Sequence, residues 1–376
     1  MNPDYESASA NNATKPTVRF LPVPFGYGPI GTALHIAREI RKMVGLGVRL
    51  ILVADSSLII PDAISCFDEI SDSLDERRCS LNITIMNQRA ARLLSARNER
   101  FFIVDVLSWL WNKPYEVAML ADRYYYQDMN WLPTPAENLI SIKNPKPVPP
   151  IISSLRSLAD PTSRVEVNVS TPILSIGGLK AFPRSKAQSI QNQYLSLLLS
   201  KLLVNKDGSF VHNAPTVFGN ADALGHFYHR IGISYNGNGR QDLMASCVVH
   251  SRQLICTAGL TTTLECLASG IRIGFLPPQN YSQARLMSIL RGYGIPALSW
   301  NSSLCRKAET MRVSEAQGII WINECIEDLS KKQAFITNDQ LNELWNEVSK
   351  LDIPAELTEG RFDGATILAN DILNAI

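Results

Sequence analysis

The sequence predicts two successive α/β domains, and three observations carry that reading. The chain has 376 residues, beyond the ~250–300 residues at which a single hydrophobic core stops growing. From residue 18 onward, short apolar runs alternate with longer stretches of helical period, as strands layered with helices do. The alternation breaks once, at N-P-K-P-V-P-P (144–150), where prolines can continue neither a helix nor a central strand. A balance of 45% hydrophobic and 19% charged residues excludes a largely disordered chain.

Taken in order, residues 1–16 are polar, lack the apolar stretch of a signal peptide and read as a frayed tail. V-R-F-L-P-V-P-F (18–25) is a strand that runs into a glycine turn. A helix is predicted over 32–42, because Ala33, Ile36, Ala37 and Ile40 recur at helical spacing. Gly45 and Gly47 end it, and V-R-L-I-L-V-A (48–54) is the next buried strand. Further strands are expected at 81–86, 101–104 and 139–142, with helices at 59–76, 88–97 and 114–122. Beyond the connector, strands are expected at 172–176, 215–218, 254–256 and 272–276. Helices are expected at 186–204, 240–249, 262–269, 281–292, 338–350 and 364–376. The expected division is a tail (1–16), an N-terminal α/β domain (17–145), a linker (146–168) and a second α/β domain (169–355). The last segment, 356–376, is expected to pack back on the first domain.

Charge narrows the partners. With 36 Lys+Arg against 35 Asp+Glu the net charge is +1, so the electrostatic footprint of a duplex-binding protein is missing and no nucleic acid is expected. Seven cysteines with no C-x-x-C pair argue against a zinc knuckle and against a disulfide-stapled secreted domain. Reduced thiols in a soluble, cytoplasmic protein are the expectation. No apolar run approaches the ~18 residues of a membrane span; the longest, 195–204, is cut by Ser196, Ser200 and Lys201. No cluster has metal-ligand spacing, so no metal is expected. The oligomeric state is open, a homodimer among the options.

Two glycine loops carry the chemistry. G-Y-G-P-I-G (26–31) matches G-x-G-x-x-G between a strand and a helix, and Asp55 ends the next strand. One reading is a dinucleotide site, with backbone amides on a pyrophosphate and Asp55 on a ribose hydroxyl; NAD(P) or FAD would be the cofactor. The plain alternative is a tight strand-to-helix turn. Pro22 and Pro24 weigh against a central strand there, and Pro29 removes a loop amide. The second loop is L-I-C-T-A-G-L-T-T-T-L-E-C-L-A-S-G (254–270): strand, glycine turn, helix. A helix starting after Gly259 directs free amides and its positive dipole end at the loop, which suits a diphosphate. Thr261, Thr262 and Thr263 add hydroxyls, and Glu265 lies about one turn in, placed for a ribose diol. Against this, Thr262-x-x-Glu265 reads equally as a capping box. T-P-I-L-S-I-G-G-L-K (171–180) ends a strand on Gly177-Gly178, where amides approach an anion closely.

These motifs resemble the donor half of GT-B glycosyltransferases, in particular the bacterial transferase that adds GlcNAc to lipid-linked muropeptide. There a strand leads into a Gly-x-x-T-x-x-E helix and a proline-ended strand into a glutamine-containing sugar-binding segment. The matching residues are Gly259, Thr262, Glu265, Pro277, Gln279, Asn280 and Gln283. The resemblance spans most of 18–300. It implies two Rossmann-like domains facing across a cleft, a UDP-sugar donor rather than a resident cofactor, and a small-molecule acceptor. It further implies that Gly177, Gly178 and Gly259, Leu260, Thr261, Thr262, Thr263 hold the diphosphate and Glu265 the ribose. Gln279, Asn280 and Gln283 would take the donor sugar. I-L-S-I-G-G-L, A-G-L-T-T-T-L-E and L-P-P-Q-N-Y-S-Q are also similar to the cytosylglucuronate synthases of nucleoside-antibiotic pathways, as are V-D-V-L-S-W-L-W and A-D-R-Y-Y-Y-Q-D. That narrower resemblance implies UDP-glucuronate as donor and cytosine as acceptor, in natural-product nucleoside biosynthesis.

An inverting, metal-independent transfer needs a base at the acceptor and dipoles at the leaving diphosphate. Relatives carry a histidine after the first loop; here Pro29 stands in its place, and His35 lies inside the following helix as a packed or surface residue. Asp105, at the end of F-F-I-V, is the candidate base or acceptor contact, with capping of the next helix as its plain role. Phe25, Tyr27, Gly28, Pro29, Ile30, Trp109 and Tyr126 are the expected acceptor contacts, within an aromatic stretch that also serves ordinary packing. Lys180 and Arg285 are the nearest cations for an acidic sugar. Asp222, His226 and Arg240 remain open. A UDP-sugar epimerase on the same fold, or an NAD(P)-dependent oxidoreductase, is the competing reading.

Overall fold

The computed structural model describes residues 15–24, 27–55, 61–110, 116–133, 139, 141–159, 172–177, 187–204, 214–230 and 241–376, with the backbone alone at 61–63, 187–188, 221–222, 230 and 241–242. The first sheet contains β1 (Thr17–Pro22), β2 (Arg49–Val53), β3 (Glu69–Ser71), β4 (Leu81–Ile85), β5 (Phe101–Asp105), β6 (Arg123–Gln127) and β7 (Pro145–Val148). Its order is β3-β2-β1-β4-β5-β6-β7, and every pairing is parallel. Helices α1 (Gly28–Val44), α2 (Pro61–Cys66) and α3 (Gln88–Ala96) connect the early strands. Strand order reverses between β1 and β4, the place where an open parallel sheet leaves a crevice at its strand ends. α1 starts there.

The second sheet, β11-β10-β8-β9, is also all parallel. The short connector helix α4 (Leu155–Leu158) precedes it. It is built from β8 (Ile173–Ser175), α5 (Ala187–Leu203), β9 (Thr216–Phe218), α6 (Ala221–Arg230), α7 (Gln241–Ser251), β10 (Gln253–Thr257), α8 (Leu260–Ala268), β11 (Arg272–Leu276) and α9 (Tyr281–Gly292). Then follow α10 (Ser303–Thr310), α11 (Glu315–Lys331), α12 (Asn338–Lys350), α13 (Ala355–Thr358) and α14 (Gly364–Leu373). The switch point here lies between β8 and β10, which places Gly177 and Gly259 side by side at adjacent strand ends. One hydrophobic cluster runs from Val18 and Phe20 through Leu155 to Leu254 and Phe275, so both sheets share a continuous core. A second cluster joins α5, α6, α11 and α12.

Several expectations change. The strand expected at 139–142 is a turn among its described residues, and the helix expected at 59–76 shrinks to α2 followed by β3. The proline connector contains β7, which pairs on one side only; an edge strand does not need the ladder donors that Pro145 and Pro147 lack. Pro22 does not keep β1 from the centre of its sheet, because it is the strand's last residue. Tyr124–Tyr125–Tyr126 belong to β6, where Tyr124 and Tyr125 are core. Cys305 and Cys325 form a disulfide between α10 and α11, so the expectation of uniformly reduced thiols fails for that pair. Odd cysteine counts hide such a pair, since it depends on two helices meeting. Among the described residues no helix is long and apolar enough to cross a membrane.

After α12 the chain returns to the first sheet. Asp371 on α14 accepts from the Tyr125 hydroxyl at 2.7 Å and from Lys146 Nζ at 3.0 Å, and Thr366 Oγ1 donates to Glu39 on α1 at 3.2 Å. Gly364 opens α14 with its amide on the Pro150 carbonyl at 3.1 Å, and a Cβ there would overlap the Pro149 carbonyl. Backbone cannot yield as a side chain does. Gly364→Val is therefore expected to lower stability by about 2 kcal/mol or more in urea unfolding; an unchanged midpoint would show that α14 docks loosely.

Candidate nucleotide site at the junction of the two sheets

Helix α8 begins at Leu260 with Gly259 as N-cap, in extended conformation (φ −73°, ψ 129°) and without any side-chain cap. The Gly259 amide turns back onto the Thr257 carbonyl at 2.6 Å, and the Gly259 carbonyl takes the Thr263 amide at 2.9 Å. The amides of Leu260, Thr261 and Thr262 have no acceptor within the helix, as for any first turn. Thr262 lies inside that turn and Glu265 lies well inside the helix, so the capping-box alternative does not describe this helix. Thr263 is fully buried, and its hydroxyl has no hydrogen-bond partner among the described residues. Next to Gly259, Gly177 adopts φ +62°, and a Cβ on it would crowd Thr257 Oγ1 at 3.1 Å. Only glycine fits there without strain.

Helix α1 likewise begins without a side-chain cap, at Tyr27, with proline in its first turn. The two uncapped starts meet. Cβ atoms built on Gly28 and Gly31 would lie 3.8 Å from the Thr261 side chain. Beside them the Tyr27 hydroxyl accepts from Asn220 Nδ2 at 2.8 Å, and Asn220 Oδ1 accepts from the Ala223 amide. Both glycine motifs, far apart in sequence, thus converge on one point. Among the described residues the first loop therefore lies against the start of α8.

Glu265 points into this interface and is 1% exposed. Its Oε1 stands 3.2 Å from His35 Nε2, an ion-pair distance without hydrogen-bond alignment. The other ring nitrogen, Nδ1, is 2.8 Å from Ser153 Oγ. The neighbouring Ser154 and Leu155 bond Ser269 at the far end of α8, at 3.1 and 2.9 Å. His35 is therefore packed, as its helix position suggested, but it is packed across the junction. Sequence spacing cannot reveal that.

The segment expected to take the donor sugar is locally engaged. Asn280 Oδ1 caps α9 by accepting from the Gln283 amide at 3.0 Å, Gln283 Oε1 accepts from the Gln279 amide at 2.9 Å, and Gln279 Nε2 donates to the Ile176 carbonyl. All three are buried. The bond from Gln279 to Ile176 joins this segment to the β8 turn that ends in Gly177. Burial pushes the Cys256 thiol up to about 12 and the Cys266 thiol well above its ordinary value, so neither cysteine beside α8 offers a thiolate. Arg285 Nη1 is held on the Glu309 carbonyl at 2.7 Å.

Asp105 is fully buried. Its Oδ1 accepts from the Leu107 amide at 2.9 Å and its Oδ2 from the Tyr124 hydroxyl at 2.6 Å. That is the turn-capping role named as its plain reading, and a general base would need an oxygen that reaches the acceptor. Trp109 follows in a 3-10 turn, Ser108–Leu110, and is nearly buried. Its indole N–H and the Ser108 hydroxyl are buried donors without partners among the described residues, while Leu110 touches both hydrophobic clusters. Tyr126 is half-buried, and burial raises its phenol. Phe25, Gly178, Lys180, Arg240 and the side chain of Asp222 lie outside the described residues, and His226 is exposed.

No protein-family model matches the chain, and no curated protein matches it in sequence. Solved structures match in shape. The glycosyltransferase of kitacinnamycin is similar over 96% of this chain and 99% of its own, with a TM-score of 0.50 and 13% identity. The fold is GT-B. MurG of Acinetobacter baumannii is similar over 96% and 99%, with a TM-score of 0.42 and 11% identity. A UDP-N-acetylglucosamine 2-epimerase matches over 96% of both chains, with a TM-score of 0.47 and 10% identity. In the GT-B frame the junction of α1 and α8 is the place where the two Rossmann-like domains face one another.

Proposed function

We propose that the protein is a glycosyltransferase that moves a sugar from a UDP-sugar to a small acceptor, with inversion and without a metal. The observation that carries this reading is the meeting of α1 and α8. Each begins on glycine, lacks a side-chain cap and starts at the switch point of its own parallel sheet. Amides and dipoles directed at one point favour a diphosphate, and they stabilise it as a leaving group. Glu265, at the same interface, is the ribose contact. Gln279, Asn280 and Gln283 are the sugar-facing segment, anchored by their own bonds.

In the reaction, an acceptor lone pair forms the bond to the anomeric carbon as the bond to the diphosphate oxygen breaks. UDP leaves with the electron pair, and the acceptor's proton passes to solvent or a base. The Ser108 hydroxyl and Trp109 indole N–H, buried donors in the turn after β5 with no partner among the described residues, suit an acceptor with a carbonyl, and a pyrimidine such as cytosine has one. UDP-glucuronate is the donor proposed with it, on the resemblance of the motifs.

Thermal unfolding tests this directly. UDP and a UDP-sugar are expected to raise the melting temperature, by an amount corresponding to about 2.7 kcal/mol at a hundredfold excess over Kd, whereas NAD and dTDP are not. A shift with NAD alone would replace the reading with an oxidoreductase. Consumption of UDP-sugar with no acceptor present would make the protein an epimerase.

A further inference from the structure

The carboxylate proposed for ribose is already engaged. Glu265 is 1% exposed, His35 is fully buried, and α1 covers the face of α8 that a nucleotide must reach. The first turns are equally close, since Gly28 and Gly31 lie in side-chain contact range of Thr261. The ring is fixed from behind by Ser153, which belongs to the segment joining the two sheets.

We propose that nucleotide binding and the His35–Glu265 contact are mutually exclusive. His35 occupies the carboxylate proposed for ribose, and a uridine nucleotide binds only the form in which His35 has left Glu265. This rests on the nucleotide-sugar reading above. It reverses the usual sign of a mutation at a buried contact. A closed majority lowers apparent affinity by the fraction of molecules that are open, so loosening the contact from the α1 side tightens binding without altering any group that touches the nucleotide.

The test is calorimetric titration of UDP into wild type, His35→Ala and Ser153→Ala, each checked for cooperative unfolding. His35→Ala is expected to bind UDP ~10-fold more tightly, and Ser153→Ala to gain less in the same direction. Without ligand, both should show faster amide exchange in the first turns of α1 and α8. Unchanged or weaker UDP binding by cooperatively folded His35→Ala overturns the proposal while the nucleotide reading stands. Should His35→Ala fail to fold, Ser153→Ala decides: a gain supports the proposal, and none overturns it. If wild type and both variants all fail to bind UDP, the nucleotide reading falls and takes this proposal with it.

Discussion

Thr261→Asp is expected to lower UDP affinity by 100-fold or more while leaving the melting temperature equal to or above that of wild type. The two effects have one cause. Thr261 is the second residue of α8 and faces the start of α1, where two positive dipole ends converge. A carboxylate there takes the place of the proposed diphosphate, and near a helix N-terminus it contributes about 0.3–1 kcal/mol to stability. Against a bound diphosphate the same charge is repelled by about 4 kcal/mol per unit charge at ~4 Å and an effective dielectric of ~20, ample for the loss. Thr261→Asn has the same shape without the charge and should retain most of the binding. Equal UDP affinity in the aspartate and asparagine variants would remove the diphosphate from this helix.

The second large effect is on stability. Asp105→Ala strips the Tyr124 hydroxyl and the Leu107 amide of their acceptor in a fully buried setting. Breaking such a network is expected to cost about 2–4 kcal/mol, read as a fall in the urea midpoint. Asp105→Asn keeps the bond to Leu107 and can donate to the Tyr124 oxygen, so its cost should be near 1 kcal/mol. Turnover per folded molecule should then stay within a few-fold of wild type. A ~100-fold loss of turnover in a fully stable Asp105→Asn protein would restore Asp105 as the general base.

The contrast between Asp105 and Glu265 marks how far residue patterns reach. Asp105 ends a buried strand and Glu265 lies inside the helix that follows another, and both invite a catalytic or ligand role. Asp105 turned out to serve the turn after β5 because Tyr124, on the neighbouring strand, delivers a hydroxyl to it. Glu265 met a histidine from another domain. Neither partner is near in sequence, and only strand pairing or domain packing brings it close. Asn280 differs, because its cap on α9 is local and N-Y-S-Q already encodes it.

By itself the sequence determined the two-domain α/β plan, the strands β2, β5, β10 and β11, and the helices that follow the glycine loops, because hydrophobic period and turn chemistry act within a few residues. The tertiary structure decided everything that depends on contacts between distant segments. It made the proline connector an edge strand, brought Cys305 to Cys325, laid Gly28 and Gly31 against Thr261, and set His35 on Glu265. Such contacts follow from how two sheets share one continuous core. Burial rewards any packing that removes apolar surface from water, so it selects partners by shape and position rather than by order along the chain.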